Sequence, residues 1–242
     1  MNPASAVSTR NGRIAFVLGG SLFIASALLG VVLLPLSPVG ASLFYALGES
    51  FFVVQQIVTF SAVASFAAGV VVFAVGVPRE GSVVGRRPVG MIALSAFALW
   101  PIAAMLLFMI PTTIWAEGPP WLGYAMSWGV PLIAGLVGVV LIVRARTVPG
   151  GWRWLPLAAF VFVAACSAAY PLTMALTPPT DAYAPIYMIP AMFAIYGGMV
   201  ASLLLGAVAV GLAVVARSHA KRSGAAETEN LAAAPAPSSA SS

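Results

Sequence analysis

Six long apolar segments alternate with short polar segments along this chain. None of the six contains Asp, Glu, Lys or Arg. At ~1.5 Å per residue, a helix of about 20 apolar residues crosses the ~30 Å hydrocarbon core of a bilayer, and each segment reaches that length. The pattern therefore predicts six transmembrane helices, over residues 14–36, 51–77, 89–110, 123–143, 154–176 and 186–216.

The chain changes character after the sixth apolar segment. A basic stretch that contains Arg217, Lys221 and Arg222 is followed by residues 223–242, which are rich in Ala and Ser. Such a composition offers little apolar surface to bury and is typical of disorder. The predicted fold class is therefore all-α: a polytopic membrane protein with an N-terminal segment (1–13), a bundle of six transmembrane helices with short loops (14–216) and a basic, then low-complexity and disordered C-terminal tail (217–242).

Composition makes the lipid bilayer the main partner of the chain. The sequence is 61% hydrophobic and 7% charged, whereas a soluble domain carries about 25% charged residues. The net charge of +5 does not indicate nucleic-acid binding, because the basic residues lie in small clusters between apolar segments and not on a patch with aromatic side chains.

The basic residues predict the orientation. All of them lie in alternate polar segments, at residues 1–13, 78–88, 144–153 and 217–222. The positive-inside rule places these segments, and so both termini, in the cytoplasm. All basic residues except Lys221 are arginine, which suggests a GC-rich bacterial genome and a location in the cell membrane. The first segment is longer than the apolar part of a signal peptide and is expected to stay as an anchor.

The residues that usually carry chemistry are scarce. The only histidine is His219, in the tail, and the only cysteine is Cys166. The transmembrane segments therefore supply no catalytic pair, no heme or other cofactor ligands and no metal-ligand set. The sequence predicts a protein that is not an enzyme and has no cofactor. A pump driven by a buried carboxylate is also disfavoured.

Three polar residues form a patch within the second segment. Gln55 and Thr59 share one face of a helix, and Gln56 points about 100° away from it. Amides inside a membrane need hydrogen-bond partners, because an unsatisfied polar group in hydrocarbon costs several kcal/mol. Two interpretations stay open: the patch contacts a solute, or it forms hydrogen bonds between helices.

Small residues recur at helical spacing in two segments. Such stripes let helix backbones approach closely and predict packing surfaces. The spacing suggests that the second and sixth segments contact each other. The stripes consist of Ser61, Ser65 and Gly69 in the second segment, and of Gly198, Ser202 and Gly206 in the sixth.

Two classes of function fit these observations. The first is a transport or permeation module for a small neutral or amphipathic solute, since prolines such as Pro101 and Pro131 within the segments suit helices around a cavity. The second is a non-transporting accessory or assembly subunit, with a membrane-protein partner or a second copy of the chain. The absence of charge within the segments and the small-residue stripes favour the second class, and the polar patch favours the first, which we prefer.

Overall fold

The structure, a computed structural model, describes residues 10–32, 42, 45–48, 50–76, 82–84, 87–109, 129–148, 150–176 and 185–233. Every secondary-structure element in these ranges is helical, which confirms the predicted all-α class. A 3-10 helix, Gly150–Trp154, precedes the fifth α-helix. The α-helices are α1 (Arg10–Val32), α2 (Ser50–Val75), α3 (Pro88–Met109), α4 (Val130–Ala145), α5 (Leu155–Leu176) and α6 (Pro185–Ala233).

Five of these helices are long and apolar enough to cross a membrane, which fits a multi-pass membrane protein. The exception is α4, which has 16 residues and is about 24 Å long at ~1.5 Å per residue. The predicted fourth span begins at residue 123, and residues 123–128 lie outside the described part of the chain. A helix occupies the position of every predicted span, but the count of six crossings stays a prediction.

The C-terminal end of α6 differs from the sequence prediction. The helix continues to Ala233, so residues 217–233 are helical, whereas the whole tail was expected to be disordered. Ala, Lys, Arg and Glu are among the best helix formers. The preceding span has already provided the costly first turn, so the helix propagates into the tail at little cost. Residues 234–242 lie outside the described residues, and the cytoplasmic location of the tail stays a prediction.

The six helices form a closed ring. Each of them packs against its neighbours in sequence, and α6 also packs along α1. Neighbouring helices run antiparallel where side-chain contacts define the direction: Phe16 of α1 meets Phe73 of α2, and Phe23 meets Phe66. The ring order therefore follows the order of the helices in the chain.

Glycines allow the ring to close between α1 and α6. A Cβ added to Gly206 would lie 2.6 Å from the carbonyl oxygen of Gly20. Only hydrogen atoms fit at this crossing, where the two backbones touch. Gly69 of α2 lies against the other side of α1, and a Cβ there would be 3.1 Å from the Phe23 ring. Both glycines thus face α1, whereas the sequence suggested that their helices pack on each other.

Two short loops pack together at one end of the ring. Gly76 follows the end of α2 with a φ of 77°, and the Val83 N–H donates to the carbonyl oxygen of Phe73 at 2.9 Å. The hydroxyl of Thr147, in the loop after α4, donates to the carbonyl oxygen of Val83 at 2.5 Å. Val83, Val84 and Val148 are buried in the main apolar core. We call residues 82–84 and 146–148 the loop plug, and this end of the ring the plug end.

Candidate functional site: a central apolar cavity

The ring of helices surrounds a cavity of about 940 Å³. All six helices contribute to its wall, and Val83 and Val148 of the loop plug line it at the plug end. Each helix packs mainly on its two neighbours, and the cavity occupies the space between them beside the Phe97 and Phe160 rings. Representative lining residues, one from each helix in chain order, are Phe23, Thr59, Pro101, Pro131, Phe160 and Ser202.

Phenylalanine rings form much of the wall. Their contacts run from α1 through α2 and α3 to α5, with ring centroids between 5.3 and 6.1 Å apart. Such distances are typical of favourable aromatic pairs. These phenylalanines were not among the residues predicted from the sequence to form a site. A sequence feature that could have identified four of them is a separation of seven residues, between Phe16 and Phe23 in α1 and between Phe66 and Phe73 in α2. This separation puts both rings of a pair on one face of the helix. The rings are Phe16, Phe23, Phe66, Phe73, Phe97 and Phe160.

Few polar side chains reach the cavity, and none of the described lining residues is charged. The hydroxyl of Ser202 donates to the carbonyl oxygen of Gly198 in its own helix at 2.8 Å, so this polar group is satisfied without a ligand. A wall of this kind can bind apolar groups over a large area and can form hydrogen bonds at only a few points. The polar lining residues on the helices are Ser26, Gln55, Thr59, Ser167, Ser202 and, through its indole N–H, Trp152.

The predicted polar patch lies at the boundary between this cavity and a second one. The second cavity has a volume of about 630 Å³ and is lined by residues of α2 and α3 and by Pro131 of α4. Gln55 and Thr59 line both cavities, whereas Gln56 lines only the second one. Gln55 is half-buried, and Gln56 and Thr59 are exposed. Gln55 and Thr59 thus border the central cavity, and Gln56 does not.

The residues predicted to pack helices have different surroundings. Gly69 and Gly206 lie against α1, but a Cβ added to Gly198 would meet no heavy atom within 4 Å, and Gly198 lines the cavity. The hydroxyl of Ser61 donates to the carbonyl oxygen of Ile57 in its own helix at 2.8 Å, and Ser65 is half-buried.

The described residues offer no chemistry beyond binding at this site. No group of three or more His, Cys, Asp or Glu side chains among them is placed to hold a metal ion. Cys166 is buried and lies against α6, since a Cβ added to Gly197 would be 2.8 Å from the Cys166 Cβ. This thiol therefore serves as a small apolar packing group between α5 and α6.

Comparison of the chain with protein-family models, with curated proteins and with solved structures gives no match.

Proposed function

We propose that this protein is a membrane transport or permeation module for a small neutral or amphipathic solute. The observation that carries the proposal is the cavity of about 940 Å³ at the centre of the helix ring. Its volume is at the upper end of the range of about 300–1,000 Å³ that is usual for small-molecule sites. A bundle that served only as a scaffold would gain packing energy by filling this space.

The wall of the cavity limits the kind of solute. A charged group moved from water into an apolar, uncharged cavity would lose its hydration and gain no compensating ion pair. A neutral group with a few hydrogen-bonding atoms loses much less, and Gln55 and Thr59 offer it partners. The proposal is therefore confined to uncharged or amphipathic solutes.

Filling the cavity from Gly198 tests the proposal. A Phe side chain at this position enters open space in the cavity, because no heavy atom lies within 4 Å of the Cβ site. Gly211 provides a matched control: it lies in the same helix, a Cβ there also meets no neighbour within 4 Å, and the residue is exposed. We expect Gly198→Phe to abolish solute flux into liposomes and Gly211→Phe to leave it unchanged. Equal flux from both monodisperse variants would refute the proposal.

One observation favours the second candidate, an accessory or assembly subunit. The apolar part of α6 ends at Ser218, but the helix continues to Ala233. A helix that projects from the bilayer offers an attachment site for a membrane-protein partner or for a second copy of the chain. If this candidate is correct, deletion of residues 219–233 releases a stoichiometric partner during mild-detergent purification, and the purified chain alone moves no solute.

A further inference from the structure

The polar side chains of the cavity are concentrated in one half of it. Ser26 lies in the second half of α1, Gln55 and Thr59 lie in the first half of α2, and Ser167 lies in the second half of α5. Because these helices alternate in direction, these four positions fall in the half of the ring away from the plug end. Two other polar side chains line the cavity, Ser202 of α6 and Trp152, and Trp152 lies next to the plug end. The half that contains Gln55 and Thr59 is therefore the more polar one.

The other half of the cavity is mainly apolar and reaches the loop plug. Its walls there are Phe16 and Phe73, and its floor is Val83 and Val148. The floor is closely packed, since Val83 and Val148 are only 6% and 7% exposed. The hydrogen bond from Thr147 to Val83 holds the two loops of the floor together. An apolar chain that occupies this half would lie against the loop plug.

From this polarity we infer that the cavity binds an uncharged amphiphile with a single apolar chain, whose tail lies against the loop plug and whose head contacts Gln55 and Thr59. The inference deepens the proposed function, on which it rests, by naming the class and the orientation of the solute.

The head group decides which amphiphile is selected. Lipid tails are as apolar as the cavity wall, so a tail that moves from the bilayer into the cavity gains little. A neutral head can exchange hydrogen bonds with the amide of Gln55 and the hydroxyl of Thr59. A carboxylate or ammonium head would find no opposite charge among the described lining residues, and its desolvation would oppose binding.

Photo-crosslinking in lipid nanodiscs tests the orientation. Two monoacylglycerol probes are needed, one with a diazirine at the end of the tail and one with a diazirine next to the head. We expect the tail-end probe to label the peptides that contain Val83 and Val148, and the head-proximal probe to label the peptide that contains Gln55 and Thr59. The reverse pattern, or identical labelling by both probes, would overturn the inference.

Competition against the tail-end probe tests the class of head group on the unmodified protein. A fatty alcohol should compete about tenfold better than a fatty-acid carboxylate or an alkyltrimethylammonium ion of the same chain length, because only the neutral head avoids the unpaired charge. Equal competition by the three heads, or displacement of the probe by bilayer phospholipid, would overturn the inference.

A double variant and its matched control test the residues. Gln55→Leu with Thr59→Val should weaken monoacylglycerol binding by about tenfold through the lost hydrogen bonds. Gln56→Leu should leave binding unchanged, since Gln56 is the neighbouring residue of the same type and does not line the central cavity. Unchanged binding by the double variant would count against the inference.

These results separate the inference from the proposed function. Oriented binding without any flux would refute transport and leave the binding site in place. Flux of a hydrophilic neutral solute without amphiphile binding would refute the inference and leave transport in place.

Discussion

Gly198 and Gly206 belong to the same helical stripe, but the structure gives them opposite surroundings. Gly206 touches the backbone of α1, whereas Gly198 faces the open cavity. Spacing in the sequence showed only that the two residues share a face of α6. It could not distinguish a neighbouring backbone from empty space, because that depends on which helix lies opposite and at what distance. Spacing did separate Gln55 from Gln56, which it placed about 100° apart on the helix, and only Gln55 lines the central cavity.

At the scale of single residues, we predict that Gly206→Ala destabilises the protein and that Gly211→Ala does not. The added methyl group at residue 206 would overlap the Gly20 carbonyl oxygen, whose backbone cannot move without displacing α1. Overpacking of this kind costs about 1–3 kcal/mol. At residue 211 the methyl group meets open space, and Ala exceeds Gly in helix propensity by about 1 kcal/mol.

Thermal unfolding in detergent provides the measurement. The melting temperature should fall for Gly206→Ala and should rise slightly or stay constant for Gly211→Ala. A common response of the two variants would show that α1 and α6 do not approach closely at Gly20 and Gly206.

At the scale of elements, the sequence predicted the helices well and the loops poorly. The second span was expected at 51–77 and the structure has Ser50–Val75, and the fifth was expected at 154–176 and the structure has Leu155–Leu176. An uninterrupted apolar segment determines a membrane helix almost by itself. The loop plug could not be predicted, because it joins residues 83 and 147, which lie far apart in sequence. The helical continuation of α6 was not predicted, because the prediction of disorder considered only the composition of the tail and not the helix that precedes it.

The hydrogen bond within the loop plug leads to a prediction about that element. Thr147→Val removes the hydroxyl that donates to Val83 and keeps the size of the side chain. The lost bond leaves a carbonyl oxygen without this donor at a cost of about 1–3 kcal/mol. We expect faster amide hydrogen exchange at Val83, whose N–H donates to Phe73, as the loop opens.

Thr147→Ser is the control, since it keeps a hydroxyl at the same position and should preserve slow exchange. If Val and Ser at residue 147 gave the same exchange rate at Val83, packing and not the hydrogen bond would hold the plug together.

At the scale of the whole molecule, the cavity is a consequence of ring closure. If α2 packed directly on α6, as the sequence suggested, the two helices would occupy the centre. The structure instead places α1 against both of them, which leaves the centre open for a solute. The order of the helices around the ring is therefore the feature on which the proposed function depends most. It could not be obtained from the stripes of small residues, because several helices carry such a stripe and any two of them could pair.

Cysteine crosslinking tests the ring order in a Cys166→Ala background. Gly30 of α1 faces Met199 of α6, with a Cβ at residue 30 lying 3.4 Å from the Met199 Cγ. We expect Gly30→Cys with Met199→Cys to crosslink on mild oxidation. The pair Ser65→Cys with Ser202→Cys, which joins α2 to α6, should crosslink poorly under the same conditions, because α1 packs against both helices. Efficient crosslinking of the second pair and none of the first would show that α2 packs against α6. The central cavity would then not exist, and transport through the ring would have no physical basis.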